Sequence, residues 1–260
     1  MGKIITIANQ KGGVGKTTTA LCLGAELESK GFKILYIDLD KQCNTSKVLK
    51  ADVEKGGSFE LITKKANAKE LIQITASNEY VISGSKDLDS IDNILNDPKN
   101  SIGKEYRLRD SLKDIKELFD YIVIDTPPRL DNITINALTC TDYLIIVSNA
   151  DTFSLEGIKD INGITESVKE YTNKDLKVGG ILITRYNNRA NLSQAYKDAL
   201  EQLAKDNNTK IYKTTIRENI AIRESQALKE RITTYAPKSN ANEDYLNFTN
   251  EVIEDLKERA

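Results

Sequence analysis

The stretch Gln10-Lys11-Gly12-Gly13-Val14-Gly15-Lys16-Thr17-Thr18 constrains this chain more than any other. It follows a β-branched run, Lys3 to Ala8, and precedes a helical pattern, Lys16 to Lys30, that Gly31 ends. A chain that passes from strand through glycines into a helix builds a βα unit, and the helix aims its unpaired amides and positive dipole end at whatever the loop encloses. Glycine lets the backbone curl around a phosphate with no side chain in the way. The cradle is read as Lys11, Gly12, Gly13, Val14, Gly15, Lys16, Thr17 and Thr18, with Lys16 placed for the β and γ oxygens of a nucleotide and the Thr17 hydroxyl for magnesium. ATP with Mg2+ is the expected ligand pair. Gln10 stands where the usual pattern has a further glycine, and Lys11 brings a second positive charge to the loop.

Short β-branched runs alternate with longer helical patterns along the whole sequence, which predicts an α/β fold with a doubly wound, mainly parallel sheet and helices on both faces. Strands are expected at Lys3 to Ala8, Lys33 to Asp38, Tyr80 to Ser83, Tyr121 to Asp125, Tyr143 to Ser148, Val178 to Thr184 and Lys210 to Thr215. Several are apolar throughout, as strands buried on both faces should be. Helices are expected at Ser154 to Tyr171, Asn191 to Ala204 and Asn242 to Arg259, the last with Tyr245, Phe248, Val252, Ile253 and Leu256 on one stripe. The segment from Asp52 to about Asp110 is rich in Lys, Asn, Asp and Ser and is the least regular. No linker in it demands a second domain, so residues 1–260 are read as a single ATPase domain.

Composition removes several chemistries. There is no histidine, so Ser-His and Cys-His nucleophile pairs and histidine-dependent metal sites are absent. Three scattered cysteines fit neither a disulfide framework nor a zinc site. With no signal-peptide pattern at the first residues, the expected location is the cytoplasm.

Carboxylates are the remaining requirement for a magnesium nucleotide. Tyr121-Ile122-Val123-Ile124-Asp125 delivers one at a strand end, so Asp125 is read as the carboxylate that holds the magnesium shell. Thr126-Pro127-Pro128 stiffens the exit that follows. A pair ends another strand, in Asp38-Leu39-Asp40-Lys41-Gln42; residues two apart on a strand share a side, so both carboxylates are expected to face the loop. Asp40 is assigned to orient or deprotonate the attacking water, with Asp38 a second candidate near the metal.

These three stretches, with Cys43-Asn44 after the second, resemble the nucleotide motifs of the ParA/Soj/MinD family of deviant Walker-A ATPases. Ile183 to Tyr186, Arg189 to Ser193, Asn219 to Glu224 and Tyr235 to Ser239 are similar to the ParA/Soj branch in particular. The resemblance covers nearly the whole chain. It implies an ATP-state homodimer in which Lys11 reaches the partner's phosphates, so that Lys11, Lys16 and Asp40 form the catalytic set. It also implies nonspecific binding of double-stranded DNA, a ParB-type centromere-binding partner that stimulates slow hydrolysis, and a role at the nucleoid in plasmid or chromosome segregation.

Charge supplies a separate line of argument. From Arg185 to Lys238 there are eleven basic and six acidic residues, a local balance of +5 in a chain of net charge −2. Arg189 stands where Soj-like proteins use arginine on DNA. At a second such position this chain has Ala221, flanked by Arg217 and Arg223, which are taken as DNA-binding candidates. The alternative within the same superfamily is a MinD-like or other ATP-gated adaptor acting on a protein cargo. Membrane attachment is not expected, because Asn242 to Arg259 carries six acidic and two basic residues and suits anionic lipid poorly.

Overall fold

The computed structural model describes residues 2–187 and 191–258. In chain order the elements are β1 (Lys3–Ala8), α1 (Lys16–Ser29), β2 (Ile34–Asp38), α2 (Asn44–Val48), α3 (Ser58–Thr63), α4 (Ala68–Leu71), β3 (Gln73–Ile74) and β4 (Tyr80–Ile82). Then come α5 (Ile91–Asn96), α6 (Arg107–Leu112), β5 (Tyr121–Asp125), α7 (Asn132–Cys140), β6 (Tyr143–Asn149), α8 (Thr152–Tyr171) and β7 (Lys177–Thr184). The chain ends with α9 (Asn191–Asp206), α10 (Ile220–Leu228), α11 (Ile232–Tyr235) and α12 (Asn240–Glu258).

The strands form one sheet in the order β3-β4-β2-β5-β1-β6-β7, parallel except for the short edge strand β3. Alternation along each strand divides its side chains between the two faces. Ile5, Ile7, Tyr36, Val123, Ile145 and Leu182 pack against α1 and α12, whereas Ile4, Leu35, Ile122, Ile124, Leu144 and Ile183 meet the helices of the opposite face. The doubly wound expectation holds. On the first face, the predicted stripe Tyr245, Phe248, Val252, Ile253 and Leu256 seats α12 beside α1. Hydrogen bonds latch it further: Tyr143 Oη donates to Asp255 at 2.6 Å, Tyr212 Oη to Tyr143 Oη at 3.0 Å, and Lys210 Nζ to Asp255 at 2.6 Å.

Two regions differ from expectation. Residues 210 to 215 are not a full strand: Ile211 makes a single parallel bridge to Ile181, and the amides of Lys213 and Thr214 donate to the Glu251 carboxylate of α12. The helix competes with the sheet edge for those donors, and the ladder stops. The irregular stretch 52–110 supplies short helices and the antiparallel edge strand, burying Phe59, Leu61, Ile62, Leu88, Ile91, Leu95 and Leu108. Its apolar residues are too few per turn to announce helices, yet they roof one face.

The sheet's carboxyl edge positions the site. β1 lies between β5 and β6 while the next strand, β2, lies beyond β5, so the connections diverge at β1 and leave a crevice above its end. The phosphate-loop sequence occupies that position.

Candidate nucleotide-binding site

Backbone geometry explains the loop's glycines where it turns. Gly13 sits at φ 71° and Gly15 at φ 97°, in the left-handed region that side-chain-bearing residues adopt at a cost of about 1 kcal/mol or more. Gly15 also caps α1, so the turn and the helix start are one event. Three side chains, from the ends of β1, β5 and β7, brace the loop and the strand that leads into it. Asn9 accepts from the Lys11 amide at 2.9 Å and donates to Val147 O at 2.7 Å; Thr184 donates to Val14 O at 2.7 Å; Thr126 donates to Ile7 O at 2.8 Å. None of these braces stood out in the sequence, because a lone Asn or Thr at a strand end carries no pattern.

A cleft of about 410 Å³ opens over the loop, lined by Gly12, Gly13, Gly15, Lys16, Thr17, Thr18 and Asp40 on the phosphate side. Its far wall is formed by Arg185, by Ser225 and Gln226, and by residues 229 to 232. Lys16 is almost wholly buried, and its Nζ donates to Lys11 O at 2.9 Å. Burial depresses its ammonium below the ordinary lysine range, against the opposing pull of the Asp125 and Asp40 carboxylates. Such a cation is short of negative charge. A polyphosphate entering the cleft supplies it.

Asp125 and Asp38 stand side by side at the ends of β5 and β2, both fully buried, but their roles separate. Asp125 Oδ2 accepts from Thr17 at 2.7 Å and from Thr45 at 2.8 Å, while its buried Oδ1 has no partner. Asp38 is fully engaged: Oδ2 accepts the Ser46 amide and hydroxyl at 2.9 and 2.6 Å, and Oδ1 accepts the Asp40 amide at 3.0 Å. Burial raises the pKa of both above the usual carboxylate range, and for Asp125 the neighbouring Asp38 adds to the rise.

The expectation that Asp38 and Asp40 share a side is therefore corrected. β2 ends at Asp38, so strand alternation no longer applies at Asp40. Asp38 turns inward and organises the loop that follows; Asp40 lines the cleft, its Oδ1 closing a local turn by accepting the Gln42 amide at 2.9 Å. Thr45 and Ser46, which complete this arrangement, are residues the sequence reading passed over.

The donor set suits a magnesium nucleotide. Among the described residues no cluster of three or more His, Cys, Asp and Glu side chains exists to cage a metal alone. One hydroxyl, Thr17, backed by a buried carboxylate with an unpartnered oxygen, is the kind of partial shell that Mg2+ accepts when phosphate oxygens and water complete its octahedron.

Lys11 behaves differently from Lys16. Its side chain is not among those lining the cleft, and its Nζ lies 2.5 Å from Asp151 Oδ2, beyond the end of β6. The two loop lysines thus point to different places.

Of the three DNA candidates, Arg189 lies outside the described residues. Arg223 is exposed, with Glu218 beside its guanidinium. Arg217 is partly exposed and held by α12. Its Nε and Nη2 both reach Asp244, at 2.9 and 2.6 Å, Nη2 also reaches Glu243 at 3.2 Å, and these carboxylates push its pKa up further.

Fold and loop together define a P-loop nucleotide-hydrolase architecture, and the comparisons narrow the class. A family model described as an AAA domain matches residues 2–178. The sporulation initiation inhibitor protein Soj of Bacillus subtilis is 37% identical over 256 residues, spanning 97% of this chain and 98% of Soj. The chain belongs to the ParA/Soj family of partition ATPases. Among solved structures, a putative plasmid partition protein from Borrelia burgdorferi bound to AMPPNP matches with a TM-score of 0.80 at 25% identity, covering 100% of both chains. Cobyrinic acid a,c-diamide synthase from Mycobacterium smegmatis, with bound ADP and magnesium, matches with a TM-score of 0.85 at 26% identity, covering 100% of this chain and 97% of that one. A diamide synthase on the same scaffold shows that the fold alone does not choose the reaction. Among the described residues no helix is long and apolar enough to cross a membrane.

Proposed function

We propose that this chain is a partition ATPase: it binds ATP with magnesium, dimerises in that state, holds double-stranded DNA without sequence preference, and hydrolyses ATP under a ParB-type centromere-binding partner. The carrying observation is the division of labour between its two loop lysines. Lys16 is buried against its own loop, whereas Lys11 reaches outward to Asp151. A lysine held on the loop but turned from its own cleft supports a role on the phosphates of a second copy, in the manner of a finger supplied in trans. Lys16 and the loop amides bind the β and γ phosphates. Thr17, backed by Asp125, holds magnesium, and that ion's contribution is to neutralise charge developing on the phosphates. Asp40 orients water, and Asp38 fixes the loop that carries Asp40.

DNA contact is assigned to Arg189 and Arg223, with Arg217 paired to Asp244 of α12. The ParA-type relatives support this reading over a MinD-like one, and the acidic α12 gives no lipid-binding surface. The test traps the ATP state with Asp40→Ala and measures mass by light scattering together with retention of random-sequence DNA at moderate salt. A dimer that retains DNA is expected. A trapped protein that stays monomeric, or a dimer that ignores DNA and captures only protein cargo, overturns the proposal.

A further inference from the structure

The far wall of the cleft contains a contact that the motifs do not explain. Gln226, on α10, donates its Nε2–H to Thr18 Oγ1 at 2.6 Å, joining residues 208 positions apart. Thr18 is the last residue of the phosphate loop and is 7% exposed; Gln226 is exposed, and both line the cleft.

The direction of this bond matters. An amide N–H is a donor only, so the Thr18 oxygen must accept, and the hydroxyl proton is left to point elsewhere. A threonine inside a helix ordinarily returns that proton to the carbonyl four residues back. Here that carbonyl, Val14 O, already accepts from Thr184. With one side of the Thr18 oxygen held by Gln226, its proton remains to be offered to a phosphate oxygen in the open cleft.

The element carrying Gln226 is lightly seated. Ser225 is the one fully buried residue of α10, Ala221 and Ile222 are half-buried, and Ile220 and Leu228 are exposed. Its amino end is capped by Asn219, its carboxyl end turns through Lys229 at φ 54°, and Arg231 beyond is anchored on Glu28 at 2.9 Å. Between those fixed ends, the contact with Thr18 is the helix's polar tie to the phosphate loop.

We propose that Gln226 is a positioning residue: it sets the Thr18 hydroxyl as a donor to the nucleotide and ties α10 to the state of the phosphate loop. This rests on the ATP-binding reading above. Phosphate bound at Thr18 withdraws the hydroxyl proton, makes the oxygen a better acceptor for Gln226, and so firms the seating of α10.

The test is a double-mutant cycle on ATP affinity with Gln226→Ala, Thr18→Val and the pair, alongside hydrogen exchange of residues 220–228 with and without ATP. Gln226→Ala is expected to fold normally, since the side chain is exposed, to weaken ATP about three- to tenfold, and to abolish the ATP-dependent protection of α10. In the Thr18→Val background the same change is expected to have no further effect on affinity. Gln226→Glu, nearly isosteric but an acceptor, is expected to bind ATP worse than Gln226→Ala, because it claims the Thr18 proton and adds negative charge. Additive losses in the cycle, or α10 protection that survives Gln226→Ala, overturn the proposal. Lys16→Ala serves as the separate control: if it retains ATP, the nucleotide reading itself fails.

Discussion

The phosphate loop and the basic segment from Arg185 to Lys238 both read from sequence as concentrations of positive charge, and the structure treats them in opposite ways. In the loop, Lys16 is buried facing a cleft, where desolvation of its charge outweighs the pull of the Asp125 and Asp40 carboxylates. In the basic segment, much of the charge is already paired: Arg217 with Asp244, Lys210 with Asp255 and Arg223 with Glu218 at the surface, and Arg231 with Glu28 and Glu79 in a buried position. A count along the chain sums charges that the fold has already paired. Binding capacity follows the unpaired remainder.

The largest expected effect breaks the loop's side of this contrast. Lys16→Ala should abolish ATP binding in a fluorescent-nucleotide titration, while Lys11→Ala should leave binding measurable and impair ATP-dependent dimerisation and turnover. Equal loss of nucleotide affinity in both would end the argument that the two lysines face different copies.

Next in size is Arg231, whose charge acts within the fold. Its guanidinium is buried, stacked over the Tyr36 ring at 5.2 Å and held between two glutamates. Removing it leaves Glu28 and Glu79 without their cation, and Glu28 already has its pKa raised by burial. Arg231→Ala should cost about 3 kcal/mol in urea denaturation, within the range for breaking one side of a buried pair. A loss below about 1 kcal/mol would mean that solvent screens the cluster, as it does an exposed pair.

The loop was legible because its chemistry demands residue types at fixed spacing: glycines where φ is positive, lysine and threonine at the helix start, apolar strands leading to Asp125. The partners of those residues were not legible. Thr45 and Ser46 act because a short helix folds back under two strand ends, Gln226 because α10 crosses the cleft, and Asp244 because α12 lies against the Arg217 backbone. Each is a contact over long sequence separation that leaves no period to read. The same holds for residues 210–215, where a β-like sequence lost its ladder to a glutamate 37 and 38 positions away. Buried parallel strands and amphipathic helices, by contrast, announce themselves through short continuous apolar runs and through repeats of three to four residues.

The magnesium-side carboxylates give a pH prediction that sharpens the contrast. Asp125 and Asp38 have pKa values raised by burial in the folded protein, so the folded state holds protons more tightly than the unfolded chain. Their contribution is at its most favourable below the ordinary value of 3.8 and declines as pH rises through the raised folded values. The nucleotide-free protein should therefore lose stability from these groups between about pH 4 and neutrality, opposite in sign to a salt-bridged carboxylate. Asp125→Asn should flatten that slope and raise the melting temperature of the nucleotide-free protein at pH 8, by the equivalent of about 1 kcal/mol, while weakening magnesium-dependent ATP binding. A variant less stable than its parent at pH 8 would show that the Thr17 and Thr45 hydrogen bonds outweigh desolvation of the charge.

The smallest effect separates the arginines of the basic segment. Nonspecific DNA affinity falls with salt in proportion to the phosphates neutralised, so removing one contact lowers the slope by nearly one unit. Arg223→Ala and Arg189→Ala should each lower the salt slope of DNA retention in the ATP-trapped protein by up to that amount. Arg217→Ala should lower it little. Its guanidinium is engaged by Asp244, so its loss should be read in stability, about 1 kcal/mol for a bidentate pair that solvent still reaches. Should Arg217→Ala lower the slope as far as Arg223→Ala does while leaving stability alone, then the ion pair opens when DNA arrives, and α12 yields its arginine to the phosphate backbone.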